Sequence, residues 1–238
     1  MMRVFPLIGA PGSGKGTQSR LVARRHRATV VGMGDLLRQE IELESAIGKQ
    51  VQMMVEKGDF PSIEIVMGIL WRHLTSLNSD LVLFDGVPRS VEQAEQVDSL
   101  LERLSDILVE RRAYIERAVY LDVPLEVLKD RIVRRYMCKN CKAVYSDGLK
   151  EPKVSAVCDF CLGTEFIRRV DDQADILEDR LVRYQQRVAP LLNYYEKKGI
   201  LHRVHALGEI DDITDQISSI LKEQERQEDA DASKEEKA

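Results

Sequence analysis

Val4-Phe5-Pro6-Leu7-Ile8 runs into Gly9-Ala10-Pro11-Gly12-Ser13-Gly14-Lys15-Gly16-Thr17, and this junction decides the fold. The apolar run ends at a glycine, the pattern of a short buried strand. Pro6 is awkward in it, because proline cannot donate to a sheet ladder. From Gly14 to about His26 the pattern turns helical, with Leu21 and Val22 on the buried face. A glycine-rich turn that leaves a strand and opens a helix, with a lysine at its end, is the context of a phosphate-binding loop. The glycines let backbone N–H groups converge on phosphate oxygens, the helix N-terminus adds positive potential, and Lys15 adds a point charge. The usual motif has Ser or Thr directly after the lysine, where the hydroxyl binds magnesium. Here Gly16 stands in that place and Thr17 follows, unlike the common GTPase and motor-ATPase loops.

Outward from the loop, helices are expected near Asp35–Ser45 and Gly48–Lys57. Ser62 can cap a third, with Ile63, Val66, Met67 and Leu70 at helical spacing. Leu81-Val82-Leu83-Phe84 is a continuous apolar run before Asp85-Gly86, which reads as a strand buried on both faces of a parallel sheet. A helix over 90–104, a strand at Ala118–Leu121, and a helix from Pro124 to about Arg135 follow. After a loop-rich segment at 137–168 come a long helix over about Asp175–Lys198, a strand at Leu201–His205 and a helix at Ile210–Gln224. Alternating strands and helices predict an α/β fold, a phosphate-loop parallel sheet covered by helices on both faces.

The chain has 238 residues, 44% hydrophobic and 32% charged, with a net charge of −5. That excludes a wholly disordered chain, a collagen and a general nucleic-acid coat. No apolar run approaches the roughly 20 residues of a membrane helix, and the short apolar N-terminus is no secretion signal. A cytoplasmic location is expected, with no membrane partner. Residues 223–238 hold seven acids and three bases, so they carry most of the net charge. With nothing larger than alanine to bury, they are expected to form a disordered tail.

All four cysteines, Cys138, Cys141, Cys158 and Cys161, lie within 24 residues in the spacing C-x2-C-x16-C-x2-C. This is zinc spacing, and a disulfide framework would be spread over a secreted chain. Four thiolates close the tetrahedral shell and leave no position for water, so the Zn2+ is expected to be structural. It would fold a segment without a core of its own. His26, His73, His202 and His205 are scattered, and no nucleophilic triad is visible.

Five stretches then fall in the order of one family. Gly9–Gln18, GAPGSGKGTQ, resembles the phosphate loop of adenylate kinases, and Gly34-Asp35-Leu36-Leu37-Arg38 resembles their G-D-x-L-R segment. Asp85-Gly86-Val87-Pro88-Arg89 resembles their D-G-F-P-R. Arg131–Arg135 and Arg169–Asp172 resemble two further arginine motifs, and Arg180 falls where the family has another. The resemblance covers about residues 2–222 and points to the long-lid, zinc-binding type.

The resemblance implies reversible transfer of the terminal phosphoryl group of ATP to AMP, with Mg2+ accompanying ATP. Gly12, Ser13, Gly14, Lys15, Gly16 and Thr17 would cradle the ATP phosphates. Arg131 would lie along the ATP base near the backbone of Val144 and Tyr145. Arg38 and Arg89 would hold the acceptor phosphate, and Arg135, Arg169 and Arg180 would close over the transferring group. Asp85 would hold magnesium through water, and Gln93 would read the acceptor base. Met33, Asp59, Phe60, Pro61, Gly86, Val87 and Pro88 complete the implied AMP site. It also implies a core at 1–32, 62–134 and 172–222, an acceptor-side helical flap at 33–61 and a lid at 135–171.

Two positions depart from the family: Met33 stands for Thr and Val87 for Phe. The threonine hydroxyl helps hold the acceptor, so AMP is expected to be held more weakly. A kinase for UMP or CMP is the near alternative. A zinc-ribbon nucleic-acid-binding ATPase is the distant one, since residues 134–170 carry eight bases and four acids with Tyr136, Tyr145, Phe160 and Phe166 among them. That alternative leaves the phosphate loop and Asp85–Arg89 without a purpose. The partners expected are ATP and AMP, with no nucleic acid, acting on a monomer.

Overall fold

The computed structural model describes residues 1–56, 61–108, 112–168 and 174–235, without the side chains of 55–56, 174–180 and 223–235. β1 (Met2–Ile8) leads through the glycine loop into α1 (Lys15–His26). There follow β2 (Thr29–Gly32), α2 (Met33–Glu42), α3 (Ala46–Glu56), α4 (Ile63–Thr75), β3 (Leu81–Asp85) and α5 (Val91–Ile107). Then come β4 (Ala113–Ile115), β5 (Ala118–Asp122), α6 (Leu125–Val133), β6 (Arg135–Cys138), β7 (Val144–Ser146) and β8 (Phe166–Ile167). The chain ends with α7 (Ala174–Lys197), β9 (Leu201–His205) and α8 (Ile210–Glu235).

The main sheet has the order β2-β3-β1-β5-β9, all parallel, with β4 also pairing with β1. Its inner strands β1, β3 and β5 are largely apolar because both faces are covered, while the edge strand β9 carries His202, Arg203 and His205. On β3, Leu83 joins one apolar cluster with Val22, Leu128, Ile132 and Ile217, while its neighbours Val82 and Phe84 join another with Leu70, Leu74, Val97 and Leu101. The period-2 alternation of a strand thus sends successive side chains to two separate helical layers. Caps fix the helix starts: Ser62 Oγ accepts from Ile65 N at 3.4 Å and Ser90 Oγ from Gln93 N at 3.2 Å.

Pro6 has a specific place in this sheet. Met2 N donates to Arg112 O and Val4 O accepts from Glu116 N, whereas Arg3 N donates to Asp80 O on the β3 side. Even-numbered residues of β1 therefore face β4 and β5. β4 pairs only with residues 2–4 and β5 only with Leu7 and Ile8. The donor that Pro6 lacks points at the gap between those two partners, so no ladder bond is lost.

Three features depart from the sequence reading. β2 and β4 are strands it did not identify. Residues 137–168 are more than loop, since β7-β6-β8 make a small antiparallel sheet. And α8 continues past Gln224 to Glu235, through the stretch read as a disordered tail. Its Glu, Gln, Arg, Ala and Lys residues are good helix formers, so the composition that lacks a core still favours helix.

Candidate active site

In a parallel sheet every strand delivers its C-terminal end to one edge, and ligands bind there. β1 delivers the glycine loop, β2 the start of α2, β3 Asp85, and β9 Ala206. The loop is closed by Ser13 N on Ala10 O at 3.1 Å, and Thr17 N and Gln18 N both donate to Gly14 O. No side chain caps α1, which leaves its first turn open to an anion. Gly12 has φ +82° and lies so close to α6 that a Cβ there would meet Ile132 Cγ1 at 2.7 Å. Only glycine combines that conformation with that approach.

Lys15 folds back on the loop, its Nζ donating to Gly9 O at 2.6 Å and Ala10 O at 2.9 Å. The ammonium is thereby parked over the loop, where a phosphate oxygen carrying full charge outcompetes a carbonyl. A Cβ on Gly16 would stand 3.3 Å from Asp85 Oδ2, so the carboxylate at the end of β3 lies against the first turn of α1. This also accounts for glycine where other loops carry a hydroxyl: a side chain there would start against Asp85.

The acceptor-side arginines sit nearby. Arg38, on α2, gives Nη2 to Asp35 Oδ1 at 2.6 Å, while its Nε is buried with no hydrogen-bond partner among the described residues. Arg89 Nε donates to Gly86 O at 2.7 Å, and its backbone N donates to Gln93 Oε1 at 2.8 Å. Gly86, at φ +81°, makes the turn after β3 that folds Arg89 back.

The structure separates some residues that the resemblance grouped. Met33 and Val87 are 2% and 1% exposed and pack in the cluster with Val66, Leu70 and Phe84. Their side chains face the core. Arg131 Nη2 donates to Ala206 O at 3.0 Å, at the end of β9. Its half-burial pulls its pKa down from the usual arginine range. Val144 and Tyr145 instead pair with Met137 and Tyr136 on β6, and Arg135 pairs with Ser146. Pro61 precedes α4, half-buried. Arg180 lies on α7 with its side chain undescribed, and Asp59, Phe60 and Arg169 lie outside the described residues.

The four cysteines converge, with all four sulfurs within 4.8 Å of one another. Cys138 and Cys161 are 3.6 Å apart and Cys141 and Cys158 are 3.4 Å apart. A tetrahedron with Zn–S bonds of about 2.3 Å has edges of about 3.8 Å, so the donor set fits zinc. Each pair is presented by the same turn. Lys142 N bonds Cys138 O and Cys138 N bonds Ala143 O; Leu162 N bonds Cys158 O and Cys158 N bonds Gly163 O. Lys142 and Leu162, one residue past each pair, have φ +58° and +60°. Burial opposes ionisation of Cys158, yet the Tyr145 hydroxyl and N–H groups of Phe160 and Cys161 outweigh it and bring the thiol down to about 6.

A model of the adenylate kinase family matches residues 7–200. The chain belongs to that family. It is 35% identical over 217 residues to an adenylate kinase of Erythrobacter litoralis, covering 91% of this chain and 98% of that one. It is 37% identical over 216 residues to one of Sphingopyxis alaskensis, covering 90% and 95%. With one of Dehalococcoides mccartyi it shares 35% over 216 residues, covering 90% and 96%.

Against the adenylate kinase family, sequence reasoning missed three groups. The Ala206 carbonyl that receives Arg131 is backbone and leaves no mark in residue type. Arg168 binds Asp147 and the carbonyls of Val133 and Arg135, bracing the two ends of the cysteine segment. Its only signal was its place beside Arg169. The Tyr145 hydroxyl, which reaches Cys158, was hidden by a reading of Tyr145 as a backbone contact.

Proposed function

We propose that this adenylate kinase family member transfers the terminal phosphoryl group of ATP to AMP, giving two ADP, with the residues named below in the roles given. The observation that carries the assignment of sites is the meeting of two stretches. Asp85 lies against Gly16, and four residues on, Arg89 is folded back onto Gly86. A triphosphate in the glycine loop and an acceptor phosphate on Arg38 and Arg89 are then served by adjacent backbone.

The chemistry asks little covalent work of the protein. A phosphate monoester has a second pKa of about 6, so the attacking oxygen of AMP is already anionic at neutral pH and no general base is needed. The task is to bring two polyanions into line and neutralise the charge that moves between them. Lys15 exchanges its two carbonyls for the β- and γ-phosphates. The buried Nε of Arg38, without a hydrogen-bond partner among the described residues, supplies a donor for the acceptor phosphate, and Arg89 adds a second cation. Arg135, Arg169 and Arg180 close on the transferring group. Arg131 and the Ala206 carbonyl flank the adenine of ATP. Asp85, against the first turn of α1, is placed to hold the waters of the Mg2+ that arrives with ATP. Gln93 has its carbonyl oxygen on Arg89 N, which leaves its N–H groups to read the acceptor base.

Residues 33–61 act as the acceptor flap and 135–171 as a lid that excludes water during transfer. Cys138, Cys141, Cys158 and Cys161 would hold a structural Zn2+ that keeps the lid folded. No helix among the described residues is long and apolar enough to cross a membrane.

The test is an acceptor panel at fixed Mg-ATP with ADP formation read directly and no oligonucleotide present. AMP is expected to be the best substrate. Faster turnover with UMP or CMP would remove the acceptor assignment and leave the reaction class. No turnover with any monophosphate would remove both.

A further inference from the structure

Tyr145 is 1% exposed, and a phenol that deep gains from partners for its hydroxyl. It has two. Asp159 N donates to Tyr145 Oη at 2.8 Å, and Oη lies 3.3 Å from Cys158 Sγ. Since the oxygen accepts from Asp159, its own proton is free to go to sulfur. The ring cannot swing away, for it packs on Tyr136 at 5.8 Å and edge-on to Phe166 at 5.5 Å between centroids.

The sulfur it meets has reason to take a donor. Four thiolates around a dication carry a net charge of −2. Cys141 and Cys161 are partly exposed and can be solvated, and Asn140 Nδ2 also approaches Cys161, at 3.8 Å. Cys158, like Cys138, is fully buried. Without water, hydrogen bonds from the protein must offset the charge on its sulfur.

We infer that the Tyr145 hydroxyl is a positioning group of the zinc site, donating to the Cys158 thiolate and locking metal binding to the strand pair β6–β7. The inference rests on the zinc reading given above. Tyr145 pairs with Tyr136 on β6, and the next pair joins Ser146 to Arg135. The contact therefore runs from a metal ligand through one side chain to the strand that presents Arg135. The metal thus fixes the register of the lid strands as well as closing the loop around itself.

The test uses the full chain, Tyr145→Phe, and Tyr136→Phe as a control that alters the adjoining ring without touching sulfur. Zinc affinity is measured by competition with a chromophoric chelator. The cobalt(II)-substituted protein reports the sulfur itself through its thiolate-to-metal charge-transfer band. Tyr145→Phe is expected to weaken zinc binding by about 10–100-fold. It should also move the band to longer wavelength, because a thiolate without its donor gives up an electron more easily. Tyr136→Phe should move neither. If Tyr145→Phe matches the parent, or loses affinity with the band unmoved, the hydroxyl is not positioning the ligand and the inference falls. A parent chain that binds no zinc overturns the zinc reading itself, a separate failure visible before any variant is made.

Discussion

Replacing Met33 by threonine restores the residue typical of the family, and sequence alone suggests a tighter hold on AMP. The structure reverses that expectation. Met33 is 2% exposed within the cluster of Val31, Val66, Leu70, Phe84 and Val87. Truncating a buried methionine to alanine costs about 2–5 kcal/mol, and the methyl of threonine returns about 0.8 kcal/mol of that. The hydroxyl, placed among apolar side chains, adds about 1–3 kcal/mol unless it finds a partner. The net loss is about 2–7 kcal/mol. For a chain of this size each kcal/mol moves the midpoint of thermal unfolding by about 2–4 °C, so Met33→Thr should lower Tm by roughly 4–28 °C. The KM for AMP should not improve, because the side chain faces away from the cleft. Differential scanning calorimetry and initial rates at varied AMP measure both. An unchanged Tm together with a several-fold lower KM for AMP would show that the side chain reaches the acceptor, and the core assignment would be wrong.

Lys15→Met should leave the fold intact, since the Lys15 ammonium bonds carbonyls of its own loop, and lower kcat by at least about 100-fold; circular dichroism and a coupled assay check this, and near-normal turnover refutes the loop assignment. One zinc per chain is expected by elemental analysis, and Cys138→Ala or Cys158→Ala should release it and lower Tm, because metal-binding energy is folding energy. The main sheet should survive either change, because its strands lie outside residues 135–168. Gln93→Ala should raise the KM for AMP more than that for ATP and narrow the preference for AMP over UMP and CMP. It also removes the acceptor of Arg89 N, at a stability cost of about 1 kcal/mol, which a small fall in Tm would register.

The parts of this fold legible in sequence were those marked by residue type at fixed spacing. The glycine loop, the run Leu81–Phe84, the Ser62 cap and the cysteine pairs are local patterns, and local physics explains each. β2 was missed because Thr29–Gly32 is only four residues long and sits between two helical patterns, so its identity as a strand comes from pairing with β3. Pro6 looked like a fault because a proline is judged against a complete ladder, and the gap between β4 and β5 is a property of three strands distant in sequence.

The same limit governs the site. Motifs located Arg38, Asp85 and Arg89, whose chemistry is carried by side-chain type, but they could not give the direction in which a side chain leaves its backbone. Met33 and Val87 belong to motifs proposed to hold the acceptor, yet both point into one apolar cluster. If the family residues at these positions also pack there, a larger residue at 33 and a smaller one at 87 exchange volume within one cavity, and the two departures are a single change. Close packing makes such pairs interdependent. Val87→Phe alone should therefore overpack the cluster and destabilise by about 1–3 kcal/mol, whereas Met33→Thr with Val87→Phe should recover part of both losses. Thermal unfolding of the two single variants and the double gives the coupling directly. Strict additivity would mean that residues 33 and 87 fill separate spaces and that the two departures are unrelated.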